Sequence, residues 1–170
     1  MTTIQSGQAD AVDQIQNEWK HLRPDEDLDV IGIVGRVLRA SALIVRRSDE
    51  ILARHGLTRG EFDILSALRR GERPQSPGDL RTVSLATGPA TTKRLHSLNS
   101  RGLVDRTANP RDARGVLISL TDQGRTLIDR VFPEQLDAER ALIAQVPPGS
   151  HDAVTTSLKT LLSSIEGSVL

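Results

Sequence analysis

The stretch 76–120, SPGDLRTVSLATGPATTKRLHSLNSRGLVDRTANPRDARGVLISL, restricts the fold more than any other part of the chain. It holds two helix-start signals. Ser76 is followed by Pro77 and Asp79, and Thr87 by Gly88 and Pro89. A Ser or Thr hydroxyl accepts a free N–H of the first turn, proline is tolerated there because its missing N–H would go unpaired anyway, and an acid suits the positive end of the helix dipole. The spacing predicts a short helix over about 77–83. A longer helix follows from Thr87, with Leu95 and Leu98 as its apolar contacts, and Gly102 comes after its last turn. Residues 103–108 then read as a strand, 109–115 as a turn and 116–120 as the returning strand. Arg111 and Arg114 fall at the tip of that turn.

Two closely spaced helices followed at once by a hairpin form a winged helix-turn-helix, in which the second helix enters a groove of DNA. The rest of the chain reads as helices around this unit, so the fold class is mainly α with a small β wing. Val12, Ile15 and Trp19 share one face of a short helix over 10–21, which ends before Pro24. A long amphipathic helix runs over 29–55 and stops at Gly56, a residue suited to a left-handed cap. Thr58 and Glu61 make a capping box for the next helix, which Gly71 is expected to end. Helix resumes over 121–145, with Pro133 as a possible kink, and again from Ser150 to about Glu166. The expected organisation is N-terminal helices over 1–56, the winged unit over 57–120 and C-terminal helices over 121–170.

Composition excludes several functions. There is no Cys, so there is neither a disulfide nor a thiol nucleophile. His21, His55, His96 and His151 lie far apart and give no metal-binding spacing. No Ser/His/Asp set and no phosphate-binding Gly loop suggests an enzyme. No apolar run reaches the ~18 residues of a spanning helix, and the N-terminus lacks the basic start and apolar stretch of a secretion signal. A cytoplasmic protein with no metal and no cofactor is expected. The net charge is zero but unevenly spread. Acids dominate 1–29 and 131–170, bases dominate 30–130, and from 80 to 104 there is no acid beside Arg81, Lys93, Arg94 and Arg101. A neutral chain with a basic centre can present a positive face to phosphate. Thr91, Thr92 and Lys93, near the start of the second helix, are the expected base readers. Ser84 and Thr87 are placed to meet phosphate, and Arg111 and Arg114 to meet the backbone or the adjacent minor groove.

The order of elements, together with LTRGEFDILSALRR, GLVDRTANPRDARGVLISLTDQGRTLID and the Asp112-x-Arg114-Gly115 of the wing, resembles the multiple-antibiotic-resistance regulator (MarR) family. The resemblance spans roughly residues 30–165. It implies a homodimer whose first and last helices interlock into a shared apolar core, with one winged helix from each subunit on a palindromic double-stranded operator. The N-terminal EWKHLRPDEDLDVIGIVGRVLR is further similar to the extra first helix of the urate-responsive branch. Carried over position by position, that branch's ligand residues fall on Trp19, Asp63, Arg94 and Arg106.

The chemistry suits an aromatic anion. An indole offers an N–H or a stacking face, and a guanidinium neutralises the charge. On this reading Asp63 pairs with Arg106 until a ligand such as urate or a phenolic acid arrives, and Arg94, drawn to the ligand, takes the recognition helix out of the groove. Arg94 also counts among the DNA contacts. The same residues allow plainer roles: Trp19 as a packing anchor, Asp63 and Arg106 as a structural ion pair, Arg94 as a phosphate contact. Two functions therefore stand side by side, a repressor released by a small anion and a DNA-binding regulator controlled by its abundance or by a protein partner.

Overall fold

In the computed structural model, which describes residues 9–83, 86–110 and 112–169, the elements follow the order read from the sequence. They are α1 (Ala11–Leu22), α2 (Asp29–Ala53), α3 (Arg59–Gly71), α4 (Pro77–Val83), α5 (Gly88–Ser100), β1 (Val104–Asn109), β2 (Asp112–Leu120), α6 (Asp122–Ile143) and α7 (His151–Val169). A single 3-10 turn, Pro148–Ser150, precedes α7. The architecture is mainly α with an antiparallel two-stranded wing.

Local chemistry sets most of the helix starts. Asp10 and Asp13 make a capping box for α1, Thr58 and Glu61 make one for α3, and the Thr87 and Thr121 hydroxyls accept first-turn N–H groups of α5 and α6. Ser76 and Asp79 do the same for α4 through bonds of 2.8–3.2 Å. Gly56 adopts φ +64°, the left-handed conformation expected after α2.

One expectation, the length of the wing turn, needs correction. Helix α3 ends at Gly71, as expected. Gly71 stays helical and Glu72 takes the left-handed position at φ 50°. A Cβ at 71 would overlap the Gln75 Nε2, which donates to the Ala67 carbonyl at 2.9 Å, so a side chain there would displace that amide. The wing turn is far tighter than 109–115: Asn109 already pairs with Asp112, and the register then shifts until Ala108 meets Val116, leaving 113–115 as a bulge in β2. Ser150, expected as the cap of the last helix, closes the 3-10 turn and stands directly before the helix start at His151. Pro133 lies inside α6, which is one helix over its whole length.

The core is aliphatic and lies within the winged unit and its neighbours. Leu52, Ile64, Leu65, Leu80, Leu98, Val104, Ile118, Ile128 and Val131 are all nearly fully buried. The linker before α4 joins it, because Gln75 exchanges two backbone hydrogen bonds with Ile118, at 2.9 and 2.8 Å, and so adds a one-residue rung to the wing.

The two ends of the chain differ. Val30, Ile33, Val34 and Leu38 on α2, and Val154, Leu158, Leu162 and Ile165 on α7, are large apolar side chains left exposed. Helix α1 rests on α2 through buried Val12, which closes on Gly35, and through Arg36, whose guanidinium meets Asp10 at 2.9 Å and Asp13 at 2.6 Å.

This clamp gives a pH prediction. The Asp13 N–H, then Val12 N–H and Arg36, hold the Asp10 carboxyl below the usual carboxylate range; the Asp10 N–H and Arg36 do the same for Asp13. A depressed pKa adds stability above the ordinary value that is lost as pH falls through the folded one, so α1 should loosen only below about pH 4. Trp19 is the sole tryptophan and sits on α1, so its emission reports this. Arg36→Ala should shift that emission at neutral pH toward its acid value. An unchanged spectrum would show that Val12 alone holds the helix.

Candidate functional site

The recognition helix α5 is fixed from inside by Leu95 and Leu98, both buried in the core. Its outer surface carries Thr92 and Lys93, which are exposed together with the capping Thr87. Thr91 does not belong with them. It is only 2% exposed and donates its hydroxyl back to the Thr87 carbonyl at 3.1 Å, so it cannot reach a base from this position. One residue separates an exposed position from a buried one here, because successive positions on a helix are turned by about 100°. Ser84 and Arg111 lie outside the described residues. Of Arg114 only the backbone, in the bulged part of β2, is described.

The four expected ligand residues are not gathered into one cluster. Trp19 is 47% exposed on α1, Arg106 is exposed on β1 opposite Ile118, Asp63 is on α3 and Arg94 on α5. Among the described residues no hydrogen bond or ion pair joins any two of them. The Asp63–Arg106 pair is replaced by another: Asp63 Oδ1 accepts from Arg59 Nε at 3.0 Å. The reason is local, since residues four apart on one helix meet on its surface. The RGEFD sequence carried that signal.

Arg59 is the residue that sequence reasoning missed. Its guanidinium carbon stands 5.7 Å from the centre of the Phe62 ring, and its Nη1 donates to Ser48 Oγ at 3.2 Å. Ser48 in turn donates to Gln135 Oε1 at 3.2 Å, linking α2, α3 and α6. Beside this chain is a cavity of about 230 Å³ between α3 and α6, lined by Arg59, Phe62, Asp63, Ser66, Phe132 and Gln135 among others. A second, of about 270 Å³, adjoins it through Ser66, Arg70 and Phe132. The Ser66 hydroxyl is buried there without a hydrogen-bond partner. Of the four expected residues, only Asp63 lines the 230 Å³ cavity.

Arg94 is held differently. Its guanidinium lies against Gly60 in the first turn of α3, and any Cβ at position 60 would overlap it. Nη1 of Arg94 is buried with no hydrogen-bond partner. Next to this seat Glu61 reaches α5: Ser97 Oγ donates to its Oε1 at 2.7 Å, with Arg101 Nη1 at 3.5 Å. Burial alone would raise the Glu61 pKa, but the Ser97 hydroxyl, Thr58 and Arg101 together hold it below the usual range. Among the described residues no group of three His, Asp or Glu side chains is placed to hold a metal ion, and no helix is long and apolar enough to cross a membrane.

Comparison with known proteins agrees with this architecture. Residues 55–115 match the MarR family model. The HTH-type transcriptional regulator PecS of Dickeya dadantii is 34% identical over 157 residues, covering 91% of this chain and 92% of that protein. Among solved structures, a mutant MarR from E. coli complexed with operator DNA aligns with TM-score 0.71 and 26% identity, over 81% of this chain and 99% of that one. The transcriptional repressor CouR bound to a 23-mer DNA duplex aligns with TM-score 0.65 and 26% identity, over 74% and 89%.

Proposed function

Because the chain belongs to the MarR family of winged helix-turn-helix, DNA-binding transcriptional regulators, we propose that it works as a homodimeric repressor which a small aromatic or carboxylate anion, such as urate or a phenolic acid, releases from a palindromic operator. The helices of 1–56 and 121–170 form the dimerisation region and 57–120 the DNA-binding unit. Thr87, Thr92 and Lys93 face DNA from α5. Ser84 supports them at the phosphates, and Arg111 and Arg114 do so from the wing. The repressors and operator complexes among the structural neighbours support this reading.

The observation that carries the effector is the Arg59–Asp63 pair at the wall of the α3–α6 cavity. A carboxylate entering beside Phe62 and Phe132 competes with Asp63 for Arg59, and the aromatic walls suit a planar ligand. Asp63 lies one turn from the seat of Arg94, so a shift of the first turn of α3 reaches the recognition helix. Ligand binding favours the conformer that fits DNA less well. Trp19 and Arg106, exposed in one chain, join the ligand in the dimer.

The test is fluorescence anisotropy on duplexes from the gene's own upstream region, titrated with urate and a panel of aromatic acids. For wild type, a true effector should weaken DNA binding by about 5- to 150-fold, the usual size of such coupling. Asp63→Asn and Trp19→Phe should each respond less. If DNA binds and no acid releases it, the regulator answers to its own abundance or to a protein partner.

A further inference from the structure

We propose that Glu61 is a positioning residue that sets the pose of the recognition helix, a role that rests on the DNA-binding function above but not on any effector. Two other acids in this chain stand at comparable places in a capping arrangement, Asp13 in α1 and Asp79 in α4; both are close to solvent, although Asp13 also meets Arg36 of α2. Glu61 differs in its burial, and what its second oxygen holds is α5. It is 5% exposed, and its two oxygens have different partners. Oε2 accepts from the Thr58 N–H at 2.9 Å and the Thr58 hydroxyl at 3.0 Å, which completes the cap. Oε1 is given to α5, through Ser97 and Arg101.

A buried carboxylate is costly unless it is hydrogen-bonded and paired, so a cap alone would be better served by an exposed residue. Arg94 and Ser97 lie three residues apart on one face of α5, and Arg101 caps the end of that helix. That face meets two consecutive residues of α3, Gly60 under Arg94 and Glu61 against Ser97 and Arg101. Thr92 and Lys93 lie on the exposed side of the same helix. Loosening the contact lets α5 roll about its axis, which moves those side chains relative to the bases while leaving the basic charge in place.

Base readout depends on alignment, whereas attraction to phosphate depends mainly on charge. A loosened α5 therefore loses preference for its own site without losing affinity for DNA in general. Loss of fold would weaken both in step.

The experiment measures Kd for the upstream duplex and for an unrelated duplex at one salt concentration, with thermal unfolding alongside. The proteins are wild type, Glu61→Ala, Glu61→Gln, Ser97→Ala and the Glu61→Ala/Ser97→Ala double variant. Ser97→Ala keeps the Thr58 cap intact. The specific-to-non-specific ratio should fall about tenfold in Ser97→Ala and Glu61→Ala. Non-specific binding should hold or rise. The double variant should be no worse than Glu61→Ala, since both remove one link, and Glu61→Gln should recover part of the ratio. A ratio unchanged in Ser97→Ala, with both affinities following the melting temperature in Glu61→Ala, overturns the proposal and leaves Glu61 as a cap. Hydrogen exchange gives a reading that needs no DNA, and so separates this proposal from the DNA-binding one. In Ser97→Ala the amides of α5 should exchange faster while those of α3 and α6 do not; equal protection in α5 also overturns it.

Discussion

Leu158→Asp should convert the protein from dimer to monomer and weaken operator binding by at least about 100-fold. On α7, Val154, Leu158, Leu162 and Ile165 follow the spacing i, i+4, i+8, i+11 and make one apolar stripe, yet all are exposed in the single chain. Val30, Ile33, Val34 and Leu38, at i, i+3, i+4 and i+8, make a second exposed stripe on α2. Ile33 and Leu158 both line a groove of about 550 Å³ between the two helices. Apolar surface on this scale calls for a cover, and each fully covered Leu or Ile is worth about 1.5–3 kcal/mol. A carboxylate in the middle of that cover must be desolvated without a partner. The loss on DNA is larger than the loss of one contact, because a dimer binds its second half-site as an intramolecular event, worth about 100-fold or more in avidity. Analytical ultracentrifugation and anisotropy measure the two effects. The winged unit should keep its melting behaviour, since the described side chains of α7 add nothing to its core. A Leu158→Asp protein that still sediments as a dimer would place the interface elsewhere.

Gly124→Ala should lower the melting temperature by several degrees, through a single methyl group. A Cβ at position 124 would fall on the carbonyl oxygen of Leu103. That oxygen cannot swing aside as a side chain would, because it accepts from the Thr121 N–H at 3.2 Å and belongs to the start of the wing. The Thr121 hydroxyl also donates to the Gly102 carbonyl at 2.7 Å and accepts from the Gly124 N–H at 3.0 Å, so α6 is stitched to the wing over one turn. Overpacking of this kind costs about 1–3 kcal/mol. In a chain of this length each kcal/mol moves the midpoint by about 2–4 °C. Gly149→Ala is the control, since a Cβ there meets nothing within 4 Å. Thermal unfolding of the two variants side by side decides it: equal midpoints would mean the α6–wing junction can relax.

The elements with a chemical start signal were legible in the sequence. Thr58, Ser76, Thr87 and Thr121 each mark a helix because a side chain does the work of a missing backbone partner. The wing was legible as a hairpin, but its turn was not. Asn109, Asp112 and Gly115 all read as turn residues, whereas the chain turns between Asn109 and Asp112 and takes up the surplus as a bulge. Composition cannot separate a long loop from a tight one beside a bulge. The rung at Gln75 was invisible because a single pairing leaves no alternating pattern. In the candidate site, Asp63 was located but its partner was not. The RGEFD segment holds an acid four residues after an arginine, and that local pairing is formed instead of a long-range pairing with Arg106. The burial of Thr91 beside exposed Thr92 was hidden for a similar reason, since two adjacent threonines carry no mark of which faces the core.

Four consecutive residues at the start of α3 carry separate duties. Gly60 leaves space for Arg94, Glu61 holds Ser97 and Arg101, Phe62 packs in the core beneath Arg59, and Asp63 pairs with Arg59 at the cavity wall. This concentration limits how the protein can diversify. On the proposed effector site and Glu61 latch, a change that retunes the cavity at this turn also disturbs the grip on DNA, so substitutions here should show strong epistasis with those in α5. The opposite wall has no such obligation. Phe132, Leu136 and Glu139 on α6 line the cavity without touching the Glu61 latch. If the proposed effector binds this cavity, selection for a new effector has its open ground on α6, where the chemistry the regulator recognises can drift while the operator it reads stays the same.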